Sequence, residues 1–256
     1  MSVTRGEFLK SLGKSLPGMV FGTGAVAAQK LLTKMAAASG ETVPPSVSAP
    51  ASSTATKPAL EIIQHGPAAG NRIALTFDDG PTLGVTDRIL DAFQQRGVHA
   101  TFFMIGNRIA ASPELARRVV AEGHEVANHT YNHPKLGDLS SAQAEEEIQK
   151  TQDVISATLN LQPAWLRPPY GSFRPDLAPL VHTRGMRIVG GNVDPRDWSQ
   201  PPEEQIIEVI TRDAKAGSIV ICHDSHPPTA NAIGTVLDRL IASGLTPVTL
   251  SALMAS

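Results

Sequence analysis

From Leu60 to the end of this 256-residue chain, short strand-like runs alternate with helical stretches. Apolar, β-prone runs occur at residues 73–77, 100–105, 125–128, 165–166, 186–189, 218–222 and 246–250. Helical stretches lie between them, at residues 86–96, 113–122, 140–159, 175–183, 203–214 and 230–242. Regular alternation of this kind indicates an α/β fold with a parallel sheet. About seven such units favour a sheet that is closed into a barrel.

Capping signals support two of these helices. Ser112 stands before a proline in the first turn, which predicts a helix capped by its hydroxyl. Ser140 and Gln143 have the spacing of a capping box, and residues 145–147 are three glutamates near the same positive helix end.

The first 58 residues differ in composition from the rest. Residues 1–38 resemble a secretory signal, with a basic start, a mildly apolar stretch and small-residue cleavage sites. The opening is similar to a twin-arginine signal in which Gly6 replaces the second arginine. Residues 39–58 are rich in Pro, Ser, Thr and Ala and predict a linker. We therefore expect a secreted or cell-envelope protein with a membrane tether; an amphipathic helix of a cytoplasmic protein is the alternative.

Overall composition narrows the range of partners. The chain has 22 basic and 24 acidic residues, and this near balance argues against a polyanionic partner such as nucleic acid. Its one cysteine, Cys222, excludes an internal disulfide framework. The sequence predicts no stacking platform for nucleic acid, because only 4% of the residues are aromatic.

Polar residues follow five of the predicted strands at the point where each strand ends. In parallel α/β folds these ends meet on one rim, where catalytic residues collect. The polar groups are at residues 78–79, 128–129, 167–170, 192–194 and 222–224.

Two histidines and two aspartates in this set predict a metal site. Asp78 and Asp79 are adjacent, and close carboxylates repel unless one finds a cation or a proton. His129 and His133 are four residues apart, so on a helical turn they would share one face. With Asp79 they form a two-histidine, one-carboxylate set, as catalytic zinc sites use. A solvated turn and a surface histidine pair are the alternatives; His124 is interpreted as a histidine at a strand start.

The order of five motifs resembles that of the polysaccharide deacetylases, the NodB-homology family or carbohydrate esterase family 4. The motifs are TFDDGP (residues 76–81), HTYNH (129–133), RPPYG (167–171), DPRDW (194–198) and ICH (221–223). The resemblance implies a catalytic domain over residues 59–256 and a distorted (β/α) barrel with fewer than eight regular strands.

The resemblance also implies the roles of individual residues. Asp79, His129 and His133 would hold a divalent metal, Zn²⁺ first and Co²⁺, Ni²⁺ or Mn²⁺ as alternatives. Asp78 would be the general base, and Arg167 would hold it ionised and oriented.

The remaining implied roles concern the acid, the oxyanion and the pocket. His223 would protonate the departing sugar amine while Asp197 keeps the imidazole charged, and the backbone N–H of Tyr170 would stabilise the oxyanion. Contacts with the substrate would come from Tyr170, Trp198, Ile221 and Pro168.

The predicted function is metal-dependent removal of N-acetyl groups from an N-acetylglucosamine-type polysaccharide, with peptidoglycan as the first choice. Chitin oligosaccharides, O-acetyl xylan and a small cyclic amide are alternative substrates, and a non-catalytic glycan-binding relative is a further alternative. The last would lack Asp78 or His223, and both are present. A nucleophilic role for Cys222 or for residues 224–226 ranks low, because Cys222 should face a helix and no nucleophile elbow surrounds Ser225. His226 is expected to be exposed, and the protein is expected to be a monomer.

Overall fold

An eight-stranded, all-parallel sheet forms the centre of the computed structural model, which describes residues 61–255. The predicted signal-like segment and linker lie outside the described residues. The strands are β1 (Ile62–Ile63), β2 (Arg72–Asp78), β3 (Thr101–Met104), β4 (Glu125–Asn128), β5 (Trp165–Leu166), β6 (Arg187–Val189), β7 (Ile219–His223) and β8 (Thr246–Val248). Their order is β1-β6-β5-β4-β3-β2-β7, with β8 paired to the first half of β2.

From β2 to β8 the helices connect successive strands, and the last helix follows β8. They are α1 (Thr86–Gln94), α2 (Gly106–Ala111), α3 (Pro113–Ala121), α4 (Ser141–Leu159), α5 (Ala178–His182), α6 (Glu203–Asp213), α7 (Pro227–Ala242) and α8 (Leu250–Met254). Among the described residues, none of them is both long enough and apolar enough to cross a membrane.

Two isolated bridges bring the ends of the sheet together. His65, just after β1, pairs with Ser218, and Val193, just after β6, pairs with Val220 of β7. The Ile221 N–H also donates to the Val193 carbonyl at 2.8 Å. The predicted distorted α/β barrel is thereby confirmed, and all seven predicted strands are present. The added eighth strand, β1, was not predicted, since two residues carry no periodic signal.

Alternation along each strand decides which side chains enter the barrel. On β2, Ile73, Leu75 and Phe77 pack outward in the core beneath the helices. Ala74 packs in a second, inner cluster, where Leu250 and Leu253 of α8 also lie. The same alternation points Asp78 inward at the end of β2, away from the Phe77 ring.

Several local predictions need correction. The capping box of Ser140 and Gln143 is formed, but the Ser112 side chain makes no capping hydrogen bond. Helix α7 begins at Pro227, not at residue 230, because prolines are accommodated in a first turn. Helices α2 and α8 were not predicted from the sequence, and Leu250, predicted to end the last strand, is the first residue of α8.

Candidate active site

Asp78 and Arg167 form a buried ion pair inside the barrel. Arg167 Nη1 lies 2.6 Å from Asp78 Oδ1 and 2.7 Å from the Thr76 hydroxyl, and Nη2 donates to the Gly190 carbonyl at 2.7 Å. The guanidinium also lies over the Phe103 ring, 4.1 Å from its centroid. A buried charge must be paired and hydrogen-bonded to be tolerated. These contacts hold the Asp78 carboxylate in one orientation.

Asp79, His129 and His133 converge on one point beside that pair. Their candidate ligand atoms all lie within 4.8 Å of one another. Asp79 Oδ1 is 3.1 Å from His133 Nε2 and 3.5 Å from His129 Nε2. His129 Nδ1 donates to the Arg167 carbonyl at 2.8 Å, which leaves Nε2 of His129 facing Asp79. His133 Nδ1 lies 3.2 Å from the Tyr170 hydroxyl, so its Nε2 also faces Asp79.

The donor set of this cluster fits a divalent cation. Asp79 Oδ1 is buried and has no hydrogen-bond partner of acceptable geometry among the described residues. Burial acts to raise the pKa of Asp79, but His129 and His133 outweigh it and hold that pKa well below its ordinary value. The carboxylate is therefore charged and faces two nitrogen atoms. One oxygen and two imidazole nitrogens, oriented by outer hydrogen bonds, are a set that zinc sites use.

The two histidines do not lie on a helical turn, which corrects the sequence interpretation. The segment between them is irregular, with left-handed backbone at Thr130 (φ 65°) and His133 (φ 62°). Asp79 (φ 78°) and Tyr170 (φ 59°) share this conformation. Such backbone costs about 1–3 kcal/mol per non-glycine residue and clusters at functional sites. The irregular loop, not helical spacing, brings both imidazoles to Asp79.

Glu147 of α4 holds this loop in place. Its carboxylate accepts hydrogen bonds from the Tyr131 N–H at 3.0 Å, the Asn132 N–H at 2.7 Å and the Asn132 side-chain amide at 2.7 Å. Asn128 adds a fourth bond, because its Oδ1 accepts the Thr130 N–H at 2.9 Å. The sequence analysis placed Glu147 only at a helix end. Its position eighteen residues after His129 gave no signal of this contact.

His223, at the end of β7, pairs with Asp197 through the other edge of its ring. His223 Nδ1 donates to Asp197 Oδ1 at 2.7 Å, and Oδ2 accepts the His223 N–H at 2.8 Å and the Thr229 hydroxyl at 2.6 Å. Asp197 is fully buried. Burial acts to lower the pKa of His223, but Asp197 and the nearby carboxylates outweigh it and raise that pKa to about 9. The imidazole can therefore carry a proton in the cleft.

Asp78, Asp79, Arg167 and the three histidines of these groups line one cleft of about 650 Å³; the lining histidines are His129, His133 and His223. Tyr170 and Trp198 stand at its mouth, 68% and 47% exposed, and Ile221 and Pro168 form further parts of its wall. Ile62 and Gln64 also line the cleft, although no sequence signal marked them. Gln64 accepts the Gly191 N–H at 3.1 Å, so the unpredicted strand β1 helps to shape the opening.

Four further residues that the sequence brought into question have no catalytic role assigned to them. Cys222 is buried in the outer core, as predicted, and burial raises the pKa of its thiol well above the ordinary value. The Ser225 hydroxyl contacts Asp79 Oδ2 at 3.3 Å, so no serine triad forms. His226 is half-buried, not exposed as predicted. His124 is buried at the start of β4, where it accepts the Ala100 N–H at 3.0 Å.

Known proteins resemble this chain in sequence. A sequence model described as polysaccharide deacetylase matches residues 65–189. A chitooligosaccharide deacetylase of Bradyrhizobium sp. (strain ANU 289) is 42% identical over 166 residues, which are 64% of this chain and 76% of the relative. This chain belongs to the polysaccharide deacetylase family. The resemblance carried by the five motifs is thereby confirmed.

Further relatives of this polysaccharide deacetylase have solved structures. The peptidoglycan-N-acetylmuramic acid deacetylase PdaC of Bacillus subtilis (strain 168) is 36% identical over 181 residues, 71% of this chain and 38% of the relative. A structure of PdaC superposes with a TM-score of 0.70 at 35% identity, covering 74% of this chain and 92% of that one. A Bacillus anthracis protein described as a CE4 family pseudoenzyme gives a TM-score of 0.73 at 28% identity, with 76% and 69% coverage. The fold alone therefore does not establish activity, and the site residues must be considered individually.

Proposed function

We propose that this polysaccharide deacetylase is a metal-dependent hydrolase that removes the acetyl group from N-acetylglucosamine units, with peptidoglycan as its substrate. The observation that carries the proposal is the convergence of three groups in one cleft. They are the cluster of Asp79, His129 and His133, the Asp78–Arg167 pair and the His223–Asp197 pair. Asp78 and His223 end the neighbouring strands β2 and β7 and line the same cleft as the cluster, so a base and an acid both lie near the cation position.

Asp79, His129 and His133 would hold the cation, with Zn²⁺ as the first choice and Co²⁺, Ni²⁺ or Mn²⁺ as alternatives for such a donor set. When bound, the cation supplies a Lewis acid that polarises the acetyl carbonyl and lowers the pKa of a water molecule.

The chain's own residues move the protons. Asp78, fixed by Arg167, accepts a proton from the attacking water as the carbon–oxygen bond forms. His223, charged beside Asp197, donates a proton to the sugar nitrogen as the amide carbon–nitrogen bond breaks. The products are acetate and a free glucosamine unit. The Tyr170 N–H donates to the developing oxyanion.

The shape of the cleft favours a polymer over a small cyclic amide. Tyr170 and Trp198 are exposed at its mouth, and the cleft is open to solvent beyond them. A small cyclic amide would fit better in a closed pocket that excludes water. The open cleft supports a substrate that extends past the reacting sugar.

The signal-like residues 1–38 support peptidoglycan as the substrate. Such a signal would carry the domain out of the cytoplasm, and the cell wall lies outside the cytoplasm. PdaC is named for the N-acetylmuramic acid of peptidoglycan, whereas the Bradyrhizobium relative is named for chitooligosaccharides. Both names describe the removal of acetyl groups from N-acetylated amino sugars. We propose a secreted or cell-envelope location on these grounds.

Acetate release from three substrates tests the function. The zinc-loaded protein is assayed with peptidoglycan, chitopentaose and acetylxylan, with and without chelator. We expect chelator-sensitive release, fastest from peptidoglycan. Asp78→Asn should keep the metal and lower kcat by about 10²–10⁴-fold, because an amide cannot accept the proton. Release from acetylxylan alone, or metal-loaded Asp78→Asn with normal kcat, would contradict the proposal.

A further inference from the structure

A second cavity, of about 500 Å³, adjoins the candidate active site. Asp79 lines both cavities, so the second begins where the ligand cluster is. Its walls combine apolar surface with hydroxyl groups and two basic side chains; the lining residues besides Asp79 are Pro81, Thr82, Leu83, Arg108, Ala111, Ser112, Ser225 and His226. Leu83 is 71% exposed there, an apolar surface suited to the face of a sugar ring.

Arg108 is the charged group of this cavity that has no acidic partner. Its Nη1 donates to the Thr82 hydroxyl at 3.0 Å, and among residues 61–255 no carboxylate is within ion-pair distance of it. Most other arginines differ; for example, Arg118 contacts three carboxylates and Arg167 contacts Asp78. A guanidinium has five N–H donors, and its planar fork matches a carboxylate. Arg108 therefore has donors free for an anionic ligand.

The position of Arg108 is fixed relative to the ligand cluster. It lies in α2, whose first two residues are hydrogen-bonded to the histidine loop. The Gly106 N–H donates to the Thr130 carbonyl at 2.9 Å and the Asn107 N–H donates to the Tyr131 carbonyl at 3.1 Å. Arg108 is half-buried, so its side chain is held against the protein and does not extend freely into solvent. A ligand bound by Arg108 would be set at a defined distance from the reacting sugar.

We propose that Arg108 binds a carboxylate on the sugar next to the one being deacetylated, so that the enzyme prefers a carboxylate-bearing glycan to a neutral one. This inference rests on the proposed function. In peptidoglycan, every N-acetylglucosamine has a neighbour that carries a lactyl ether, with its carboxylate either free or linked to a peptide. Chitin oligosaccharides carry no carboxylate. A cation in the adjoining cavity therefore distinguishes two substrates that share the same reacting group.

The test compares kcat/KM for wild type and Arg108→Gln on four substrates. These are chitopentaose, glycan strands stripped of peptide, the same strands with their carboxylates amidated, and peptide-bearing strands. A hydrogen bond to a charged group corresponds to a change of roughly 10–100-fold. We expect Arg108→Gln to lose that factor on the stripped strands, mainly through KM, and to keep wild-type values on chitopentaose and the amidated strands. A loss confined to peptide-bearing strands would place the carboxylate on the peptide, not on the neighbouring sugar, and would overturn the inference.

Two further variants separate charge from structure. Arg108→Lys keeps the charge without the fork and should recover part of the preference. Arg88→Gln is the matched control, because Arg88 is an exposed arginine on the neighbouring α1 that bonds to Asn231 and does not line the cavity. Equal losses of Arg108→Gln on all four substrates would mean that Arg108 only supports the Thr82 loop, and would overturn the inference. So would a wild-type enzyme that treats stripped and amidated strands alike.

Binding measurements separate this inference from the proposed function. If the wild type deacetylated none of the substrates, the proposed function would fail, and calorimetric binding of the stripped strands would still decide the role of Arg108. Tighter binding of stripped than amidated strands, abolished in Arg108→Gln, would support it. Equal binding of both strands by the wild type would overturn it.

Discussion

The structure contains two histidine–aspartate clusters that use the same residue types in opposite ways. In the first, His129 and His133 face Asp79 through Nε2, because their Nδ1 atoms contact the Arg167 carbonyl and the Tyr170 hydroxyl. In the second, His223 faces Asp197 through Nδ1. The ring nitrogen that faces the carboxylate therefore differs between the clusters, and so does the nitrogen that is left to contact other groups.

The hydrogen bonding of the two carboxylates differs as well. Asp79 Oδ1 is buried and, among residues 61–255, has no hydrogen-bond partner of acceptable geometry. Asp197 is saturated, because it accepts the His223 ring, the His223 N–H and the Thr229 hydroxyl. A carboxylate oxygen that lacks hydrogen bonds and faces two nitrogens favours binding of a cation. A carboxylate whose oxygens are all hydrogen-bonded favours a protonated imidazole in a fixed position. The difference teaches that a histidine–aspartate contact has no single meaning until its remaining partners are known.

The largest expected effect comes from removing a ligand of the first cluster. Wild-type protein purified without chelator should carry about one divalent ion per chain, and His129→Ala or His133→Ala should lose the ion and all measurable turnover. His223→Ala should keep the ion, because its cluster does not face the cation position. Elemental analysis of the purified variants measures this, with the exposed His182→Ala as control. Full metal occupancy in both His129→Ala and His133→Ala would remove the distinction between the clusters.

A smaller effect is expected in the second cluster. His223→Ala should slow deacetylation of an amide by about 10²–10⁴-fold, but should change hydrolysis of an activated aryl acetate little, since a good leaving group needs no proton. Rates on both substrate types measure the difference. Equal losses on the two would mean that His223 is not the acid.

The pH dependence of the reaction examines the same cluster. Burial acts to lower the pKa of His223, but Asp197, Asp78 and Asp79 outweigh it and raise that pKa to about 9 without a bound cation; a bound cation would act to lower it. Activity should fall on the alkaline side as His223 loses its proton. Asp197→Asn removes one of the negative charges that raise the pKa of His223. The alkaline limb of the pH–activity profile should therefore move to lower pH. If the alkaline limb stayed at the same pH in Asp197→Asn, a group other than His223 would be responsible for it.

A third effect, smaller again, concerns the support of the first cluster. Glu147 fixes the loop between the two ligand histidines through three hydrogen bonds, and supporting contacts of this kind change metal affinity by about 10–100-fold. Glu147→Gln should weaken zinc binding to that extent in a competition titration with a chelator. Glu146→Gln, one residue away and exposed, is the matched control. Unchanged affinity in Glu147→Gln would show that the loop holds its shape without the carboxylate.

The sequence predicted what depends on periodicity and on residue chemistry. Most of the seven predicted strands could be located because they are short apolar runs between helical stretches, and the strand ends then placed Asp78, Arg167 and His223 together. The residues of the candidate metal cluster, Asp79, His129 and His133, could be named because their donor atoms suit one cation. Hydrophobicity and side-chain donor atoms depend mainly on the residue type, so they can be read from the sequence.

The remainder depends on contacts between distant segments. The irregular backbone at Thr130 and His133 is held by Glu147 from another element, so residue spacing wrongly predicted a helical turn. Strand β1 exists through pairing with β6, at Ile188 and Val189, and its two residues carry no pattern. The second cavity arises where α2 meets the loop after β2, and α2 itself was not predicted. Tertiary contacts decide these features after the strands are in place.

The smallest expected effect concerns Asp224, a buried carboxyl between the two clusters. Its N–H donates to the Asp78 carbonyl at 3.1 Å, and its Oδ2 accepts the Thr86 hydroxyl at 2.6 Å. Burial, with repulsion from Asp79 and Asp78, outweighs that hydrogen bond and raises the pKa of Asp224 to about 7. The folded protein therefore keeps a proton that the unfolded chain has lost between about pH 4 and pH 7.

Unfolding consequently releases a proton from Asp224 in this window, so the contribution of Asp224 to the free energy of unfolding should fall as pH rises, by up to about 1.4 kcal/mol per pH unit, and level off above about pH 7. Asp224→Asn cannot titrate, so this contribution to the slope should vanish. The slope is the decisive quantity, because an amide nitrogen in place of the unpartnered Asp224 Oδ1 adds a cost that does not vary with pH. Denaturant unfolding of chelated protein from pH 4 to pH 9 measures it, with the exposed Asp153→Asn as control. An unchanged slope in Asp224→Asn would mean that this carboxyl is ionised in the folded protein, and that its charge is balanced by the surroundings of the two clusters.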